Sequence, residues 1–454
     1  VSGSPRVRGR KEKILFVDDL SHPKLSAAQR SVRWLASRRH TSITVDGVLE
    51  RATRRTGLDD FGADDFEARL RLLVEDYEAD AGLGEMGRRV VFGELVRYAT
   101  NRLLIEDYLR RRPEVRDEPI ESPLIVVGLP RSGTTHLVNL LAADTRFRSL
   151  PLWEAMEPLP NPREGTPSRG KVAAVRSVDR LMPRRAREWL GVDALNPDPR
   201  YLRCAANWAG MRTMVPYVAA MHPMNPDHIH EEIDLMGPNF ASYTFEWTGH
   251  VPRYRDHYLQ TDQTPHYAYM KRVLQILQHR DRKPRKPWVL KSPQHLEQLP
   301  ALIETFPDAT LVFTHRDPVA VIQSTVTMLG YGQRVARDVL DMPALLEYWV
   351  ERIERLLERG VVDRSIVSPD RSYDSLFHDF MADTEGKLEQ IYRTYGWPRT
   401  SRSRAEQAAF LEAHPRGKGG RVRYDLEGQF GSKPEEVRER FGFYLERFPV
   451  RIEA

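Results

Sequence analysis

The chain has 454 residues, 41% of them hydrophobic and 29% charged, enough for a sizeable core in two or three domains. Spread over that length, a net charge of +5 is too weak to argue for nucleic acid or an anionic membrane as the partner. A single cysteine, Cys204, excludes a disulfide framework and fits a reducing compartment, and no run approaches the ~20 apolar residues of a membrane span.

Val1 to Lys13 is basic and polar without an apolar centre, so it reads as a tail rather than a secretory signal, and the protein as cytoplasmic. Residues 14–40 mix apolar and basic positions without a period, and 1–40 is read as tail, helix and coil. From 41 to 118 the pattern turns helical, over 44–56, 65–77 and 88–110, with acidic residues in the first two opening turns. This region carries no catalytic signature; packing against the core is its first reading, shaping an acceptor pocket its second. Pro113 and Pro119 mark a linker into a core over 119–454.

Leu124 to Val127 predicts a buried strand, Gly128 to Thr135 a glycine turn, and Leu137, Leu140 and Leu141 a helix. A short strand is expected over 146–150. Residues 158–286, rich in proline, histidine and aromatic residues, form an insertion with helices at 171–190, 202–221 and about 265–279. Such an insertion builds the acceptor side of a site, because loops at strand ends carry binding groups. Strands at 287–291 and 310–315 flank a helix over 294–306, and Asp317-Pro318 opens the next with an N-cap and proline at N1. Helices are expected at 343–359 and 372–395. A basic glycine segment, His414 to Arg423, precedes a last helix with a capping box at Ser432 and Glu435. The alternation predicts an α/β fold: a P-loop-like three-layer core with a mainly parallel sheet, ligands at the carboxyl ends of its strands, and an N-terminal helical region.

The turn almost spells the triphosphate motif G-x-x-x-x-G-K-[ST]. It has Gly128, Gly133 and Thr135, but Thr134 stands where the lysine belongs, and the cation, Arg131, comes three residues earlier. Strand, glycine loop and helix still aim N–H groups at an anion. At the end of a second strand Arg316 is followed by Ser324 eight residues on, a place for a second anion. A 5′-phosphate group plus a separate 3′-phosphate fits two such pockets better than a nucleoside triphosphate does.

Pro130-Arg-Ser-Gly-Thr-Thr135 resembles the 5′-phosphosulfate loop of sulfotransferases that use 3′-phosphoadenosine 5′-phosphosulfate (PAPS). His315 to Ser324 resembles their 3′-phosphate segment, and Trp288-Val-Leu-Lys-Ser-Pro-Gln-His-Leu296 a segment of the bacterial branch with an N-terminal helical region. The resemblance is strong in these three motifs and weak elsewhere between about 57 and 447. It implies PAPS as co-substrate, the adenosine bisphosphate (PAP) as product, no metal, and Arg131, Ser132, Gly133, Thr134, Thr135, Arg316 and Ser324 as donor ligands. Arg131 stands where cytosolic animal-type members carry lysine, an exchange that keeps oxyanion binding. Arg416 to Arg421 resembles the basic glycine segment over the 3′-phosphate, though not at the usual spacing, and brings in Lys418 and Arg421.

Arg131 and Lys291 are then the expected electrostatic catalysts, Lys291 neutralising the bridging oxygen as its bond breaks. The general base is left among Glu154, 23 residues after Arg131, His295, four after Lys291, and some other residue. Glu154 could equally be salt-bridged to Arg131 or Arg148, and His295 bonded to backbone. His222, His228 and His230 with Glu231, Glu232 and Asp234 match no standard zinc spacing and read as a solvated helix start or an acceptor-side group. The aromatic run Tyr243 to Tyr269 reads as core, or as lining of an apolar acceptor pocket. The expected partner is a small hydroxylated acceptor, with hydrophobic character hinted at, and neither nucleic acid nor integral membrane insertion. A kinase or NTPase with an atypical loop and a non-catalytic nucleotide-binding protein are the alternatives.

Overall fold

Apolar positions at helical spacing build the N-terminal region of this computed structural model, which describes residues 14–165, 168–222, 224–281, 284, 286–415 and 420–453. A short strand β1 (Ile14–Phe16) leads to helices α1 (Ala27–Ser37), α2 (Val45–Thr56), α3 (Phe66–Ala79) and α4 (Glu85–Arg111). In α2, Thr44 caps Gly47 N at 3.1 Å, Val45, Val48 and Ala52 are buried, and Gly57 ends the helix in the left-handed region. These side chains share one cluster with Leu70, Leu95 and Leu103 and with Phe240, Phe245, Tyr254 and Tyr258 of the insertion. The N-terminal helices thus pack on the middle of the aromatic run, while Tyr243, Tyr267 and Tyr269 are buried in the larger cluster around the sheet with Leu104, Ile105 and Leu109 of α4.

The central sheet has four parallel strands in the order β3 (Val289–Ser292), β2 (Leu124–Gly128), β4 (Thr310–His315), β5 (Ser372–Leu376). β2, β3 and β4 are buried throughout, as a sheet covered on both faces requires. Register sets Val126 beside Lys291 and Gly128 beside Thr314, so the chain leaves all three strands at the same edge. Gly128 has no alternative there: a Cβ would lie 2.1 Å from Thr314 Oγ1 and 2.8 Å from its carbonyl oxygen. A separate parallel pair joins β1 to β6 (Arg421–Arg423).

Several boundaries differ from the sequence expectation. Residues 372–376 are the edge strand β5, not the start of a helix, and helices 377–382 and 384–395 follow. Residues 146–150 make no strand, only a bridge between Arg148 and Trp288. Pro183 divides 171–190 into α7 (Arg169–Leu181) and α8 (Arg184–Leu190), after α5 (Thr134–Ala142) and α6 (Leu152–Met156). Likewise 202–221 is two helices, α9 (Pro199–Met214) and a turn at 218–221, separated at Pro216, and 294–306 is a 3-10 turn followed by a short α-helix at 299–305. The capping box expected at Ser432 and Glu435 does not form: Lys433 is the N-cap, its side chain cannot accept, and only the Glu436 carboxylate reaches back, accepting from Lys433 N at 3.1 Å.

Candidate active site

After β2 the backbone makes two left-handed steps, Arg131 at φ +64° and Gly133 at φ +89°, and Gly133 becomes the N-cap of α5. No side chain caps that helix, so its first N–H groups face the loop. Ser132 turns inward instead: its N–H and hydroxyl both donate to Leu129 O, at 3.3 and 2.6 Å, and the hydroxyl meets Thr314 Oγ1 at 2.7 Å. Ser132 therefore braces the loop against Leu129 and Thr314.

Arg131, Arg316 and Ser324 converge, 193 residues apart at the extremes. Arg131 Nε donates to Ser324 Oγ at 2.9 Å, and Ser324 Oγ to Tyr424 OH at 2.9 Å. The Arg131 guanidinium thus lies on the expected 3′-phosphate side rather than over the loop. Desolvation, partly offset by the Tyr424 hydroxyl, holds it below its ordinary pKa. Arg316 Nη1 donates to Arg131 O at 2.7 Å, its other edge makes two 2.6 Å bonds to the Glu453 carboxylate, and its plane lies 4.2 Å from the centre of the Phe377 ring. Tyr424, Phe377 and Glu453 were not singled out from sequence, since no motif or periodicity marks them. Arg421 is exposed in β6, paired with Ile14, and Lys418 lies outside the described residues.

Lys291, third residue of β3 and 1% exposed, sits at the same edge. Its Nζ donates to Thr135 Oγ1 at 3.2 Å and forms an ion pair with Glu231, while its backbone N–H donates to Glu232 Oε1 at 2.7 Å. The segment carrying these acids is clamped to α5, where the Asn139 side chain bonds both Ile229 N (3.0 Å) and Ile229 O (3.2 Å). The His230 backbone N–H donates to Leu150 O at 2.8 Å, and its ring Nε2 pairs with Asp234 at 2.9 Å. His222 and His228 stack edge to face, 6.1 Å between centres. Burial pushes both imidazoles down, His228 to about 3 with help from His230 and Lys291 and His222 with help from Arg131, so both stay neutral. Among the described residues no three acids, histidines or cysteines are grouped to hold a metal.

Of the two expected bases, Glu154 is held by Arg148 at 2.7 Å, and Arg148 also binds Asp281 at 2.7 Å, the salt-bridged alternative. His295 is 1% exposed, with Nδ1 2.8 Å from Tyr267 OH and Nε2 3.7 Å from Glu232 Oε2. Neither Nε2 nor Oε2 has a hydrogen-bond partner among the described residues. The carboxylate that meets Lys291 is Glu231, which the sequence offered only within the His222 to Asp234 group, read as a solvated helix start or an acceptor-side group.

The model of the sulfotransferase family matches residues 123–401, more than half the chain and the stretch holding the loop, Lys291 and Arg316. The chain belongs to the sulfotransferase family. Two curated relatives, the omega-hydroxy-beta-dihydromenaquinone-9 sulfotransferases Stf3 of Mycobacterium bovis and Mycobacterium tuberculosis, are 31% identical over 118 residues. That match covers 25% of this sulfotransferase and 29% of the length of those relatives. Similarity to solved structures runs further. Sulfotransferase STF1 of Mycobacterium tuberculosis shares 28% identity at a TM-score of 0.71, covering 89% of this chain and 100% of that one. STF9 of Mycobacterium avium shares 26% at 0.74, covering 91% and 98%. Both likenesses take in the N-terminal helices as well as the sheet, in keeping with the α/β fold expected from sequence.

Proposed function

We propose that this sulfotransferase transfers a sulfuryl group from PAPS to a hydroxyl of a hydrophobic acceptor. The observation that carries the reading is the triad Thr135, Lys291 and Glu231 at the carboxyl ends of two adjacent parallel strands. The α5 N-terminus and the Thr134 and Thr135 hydroxyls would hold the 5′-phosphosulfate. Arg131, Ser324 and Arg316 would hold the 3′-phosphate, with Tyr424 beside them.

Chemistry then follows from placement. The bond from sulfur to the bridging phosphate oxygen breaks as the bond from the acceptor oxygen forms in line. Lys291 turns from Glu231 to the bridging oxygen and neutralises its growing charge. Glu231, released from the ion pair, takes the acceptor proton. The leaving group is already activated, so the reaction asks for no divalent ion, and the triphosphate reading lacks its loop lysine.

The acceptor reading rests on the Stf3 relatives, whose name gives an omega-hydroxylated menaquinone derivative as their substrate. A cytoplasmic location belongs to the same reading, supported by the unpaired, buried Cys204. Thermal-shift titration tests the donor and a radiolabelled-sulfuryl assay on omega-hydroxylated isoprenoid quinones tests the acceptor. Stabilisation by the bisphosphate, and transfer, are expected; stabilisation by ATP-Mg with none by the bisphosphate would overturn the reading.

A further inference from the structure

The charge of the chain is not spread evenly. Residues 169–190 carry seven basic and two acidic side chains, a net +5 that equals the charge of the whole molecule, so the rest is balanced. This stretch is α7 and α8, and neither helix has a fully buried residue. Val172, Val175, Asp179 and Met182 are half-buried and turn toward the body of the protein. Ala174, Val178 and Leu181, at i, i+4 and i+7, line the outward face, with Val178 54% and Leu181 83% exposed. α8 adds Trp189 at 55%. Lys171, three residues before Ala174 and seven before Val178, borders the apolar stripe, Arg185 stands four residues before Trp189 on α8, and Arg169, Arg176 and Arg180 line the remaining exposed face of α7, beyond Gly170, Ala173 and Ser177.

This pair of helices is held firmly. Arg187 binds Asp179 Oδ1 at 2.8 Å, and Arg212 of α9 donates to Glu188 O (2.9 Å) and Trp189 O (3.0 Å). Leu190 packs against the buried cluster of Val192 with Tyr201 and Ala205 of α9. Tyr201 OH in turn donates to Asp227 at 2.7 Å, four residues before Glu231. The exposed surface is therefore rigidly joined to the acceptor side of the site.

We propose that α7 and α8 dock this protein on an anionic lipid bilayer, with Val178, Leu181 and Trp189 below the headgroups and the surrounding basic side chains at the phosphates. An exposed apolar stripe amid basic side chains is what an interfacial helix needs. A second copy would set +5 against +5, and protein interfaces place few charges at their centres. Presenting a membrane-held acceptor to Glu231 rests on the function proposed above; the docking itself does not.

Sedimentation of the full chain with vesicles tests this. Equimolar phosphatidylglycerol and phosphatidylcholine should bind the protein, pure phosphatidylcholine should not, and salt should weaken the binding. Each neutralised arginine should cost about fivefold in partitioning, so Arg180→Gln with Arg184→Gln should lose roughly twenty-five-fold. Leu181→Cys, labelled with an environment-sensitive dye while Cys204 stays buried, should shift to the blue on anionic vesicles. Retained stabilisation by the bisphosphate shows that the variants are folded. Equal partitioning into both vesicle types, partitioning unmoved by the arginine substitutions, or a concentration-dependent dimer lost in Leu181→Ser without vesicle binding would each overturn the proposal. Vesicle binding without any response to the bisphosphate would sink the proposed function and leave the docking standing.

Discussion

Replacing Glu231 by glutamine removes one charge and one proton acceptor while keeping the shape of the side chain. Loss of a general base costs about 10²- to 10⁴-fold in rate, or roughly 3–6 kcal/mol of barrier at about 1.4 kcal/mol per decade. Stability should suffer less. Breaking a buried ion pair outright costs about 3–5 kcal/mol, but glutamine still accepts a hydrogen bond from Lys291 Nζ, which keeps Thr135 as well. A loss of about 1–2 kcal/mol is expected. The donor site does not include Glu231, so bisphosphate affinity should stay within about threefold of wild type, a free-energy change below about 0.7 kcal/mol. The assay is a single turnover with PAPS pre-bound and acceptor in excess, run beside Glu154→Gln and His295→Asn. Wild-type turnover by Glu231→Gln together with a dead His295→Asn or Glu154→Gln would refute the reasoning and return the base to one of those residues.

Other outcomes follow from buried charge. Glu453→Gln removes the charge and one of the two acceptor oxygens that hold Arg316, and should tighten bisphosphate binding in calorimetry; weaker binding would mean that Glu453 aligns Arg316 instead of competing for it. Arg352 joins Glu246 and Glu297, all three at most 4% exposed, so Arg352→Met strands two buried carboxylates and should cost at least about 3–5 kcal/mol in urea unfolding. Unchanged stability would contradict it. Burial, with the Arg69 charge adding to it, lowers His266 to about 4. The folded state then binds fewer protons than the unfolded one between pH 6.5 and 4. The associated stability is present above pH 6.5 and is lost on acidification, by up to about 1.4 kcal/mol per pH unit. His266→Gln should flatten that part of the stability–pH curve, and an unaltered slope would show that other groups set it.

How much of this was legible depends on how local each signal is. The run Leu124 to Val127, the glycines of the loop and the Asp317-Pro318 helix start act through their immediate neighbours, and each appears where the sequence puts it. β5 escaped notice because an edge strand with Tyr373 and Asp374 half-open to solvent has no apolar run; its pairing with β4 makes it a strand. Ser132 and Arg131 were recognised as loop residues, but which way their side chains turn depends on Thr314 and Ser324, which lie more than 180 residues away.

The sequence by itself determined the phosphate loop, the parallel α/β order and the family, because these are written in short runs and in residue types at fixed spacing. Only the tertiary structure decided which acid meets Lys291. Glu231 and Lys291 are 60 residues apart, brought together by β3 pairing with β2 and by Asn139 holding Ile229. It also decided that the +5 charge, diffuse when averaged over 454 residues, sits on one exposed helical pair. Burial belongs to the folded surface, and composition carries no record of it.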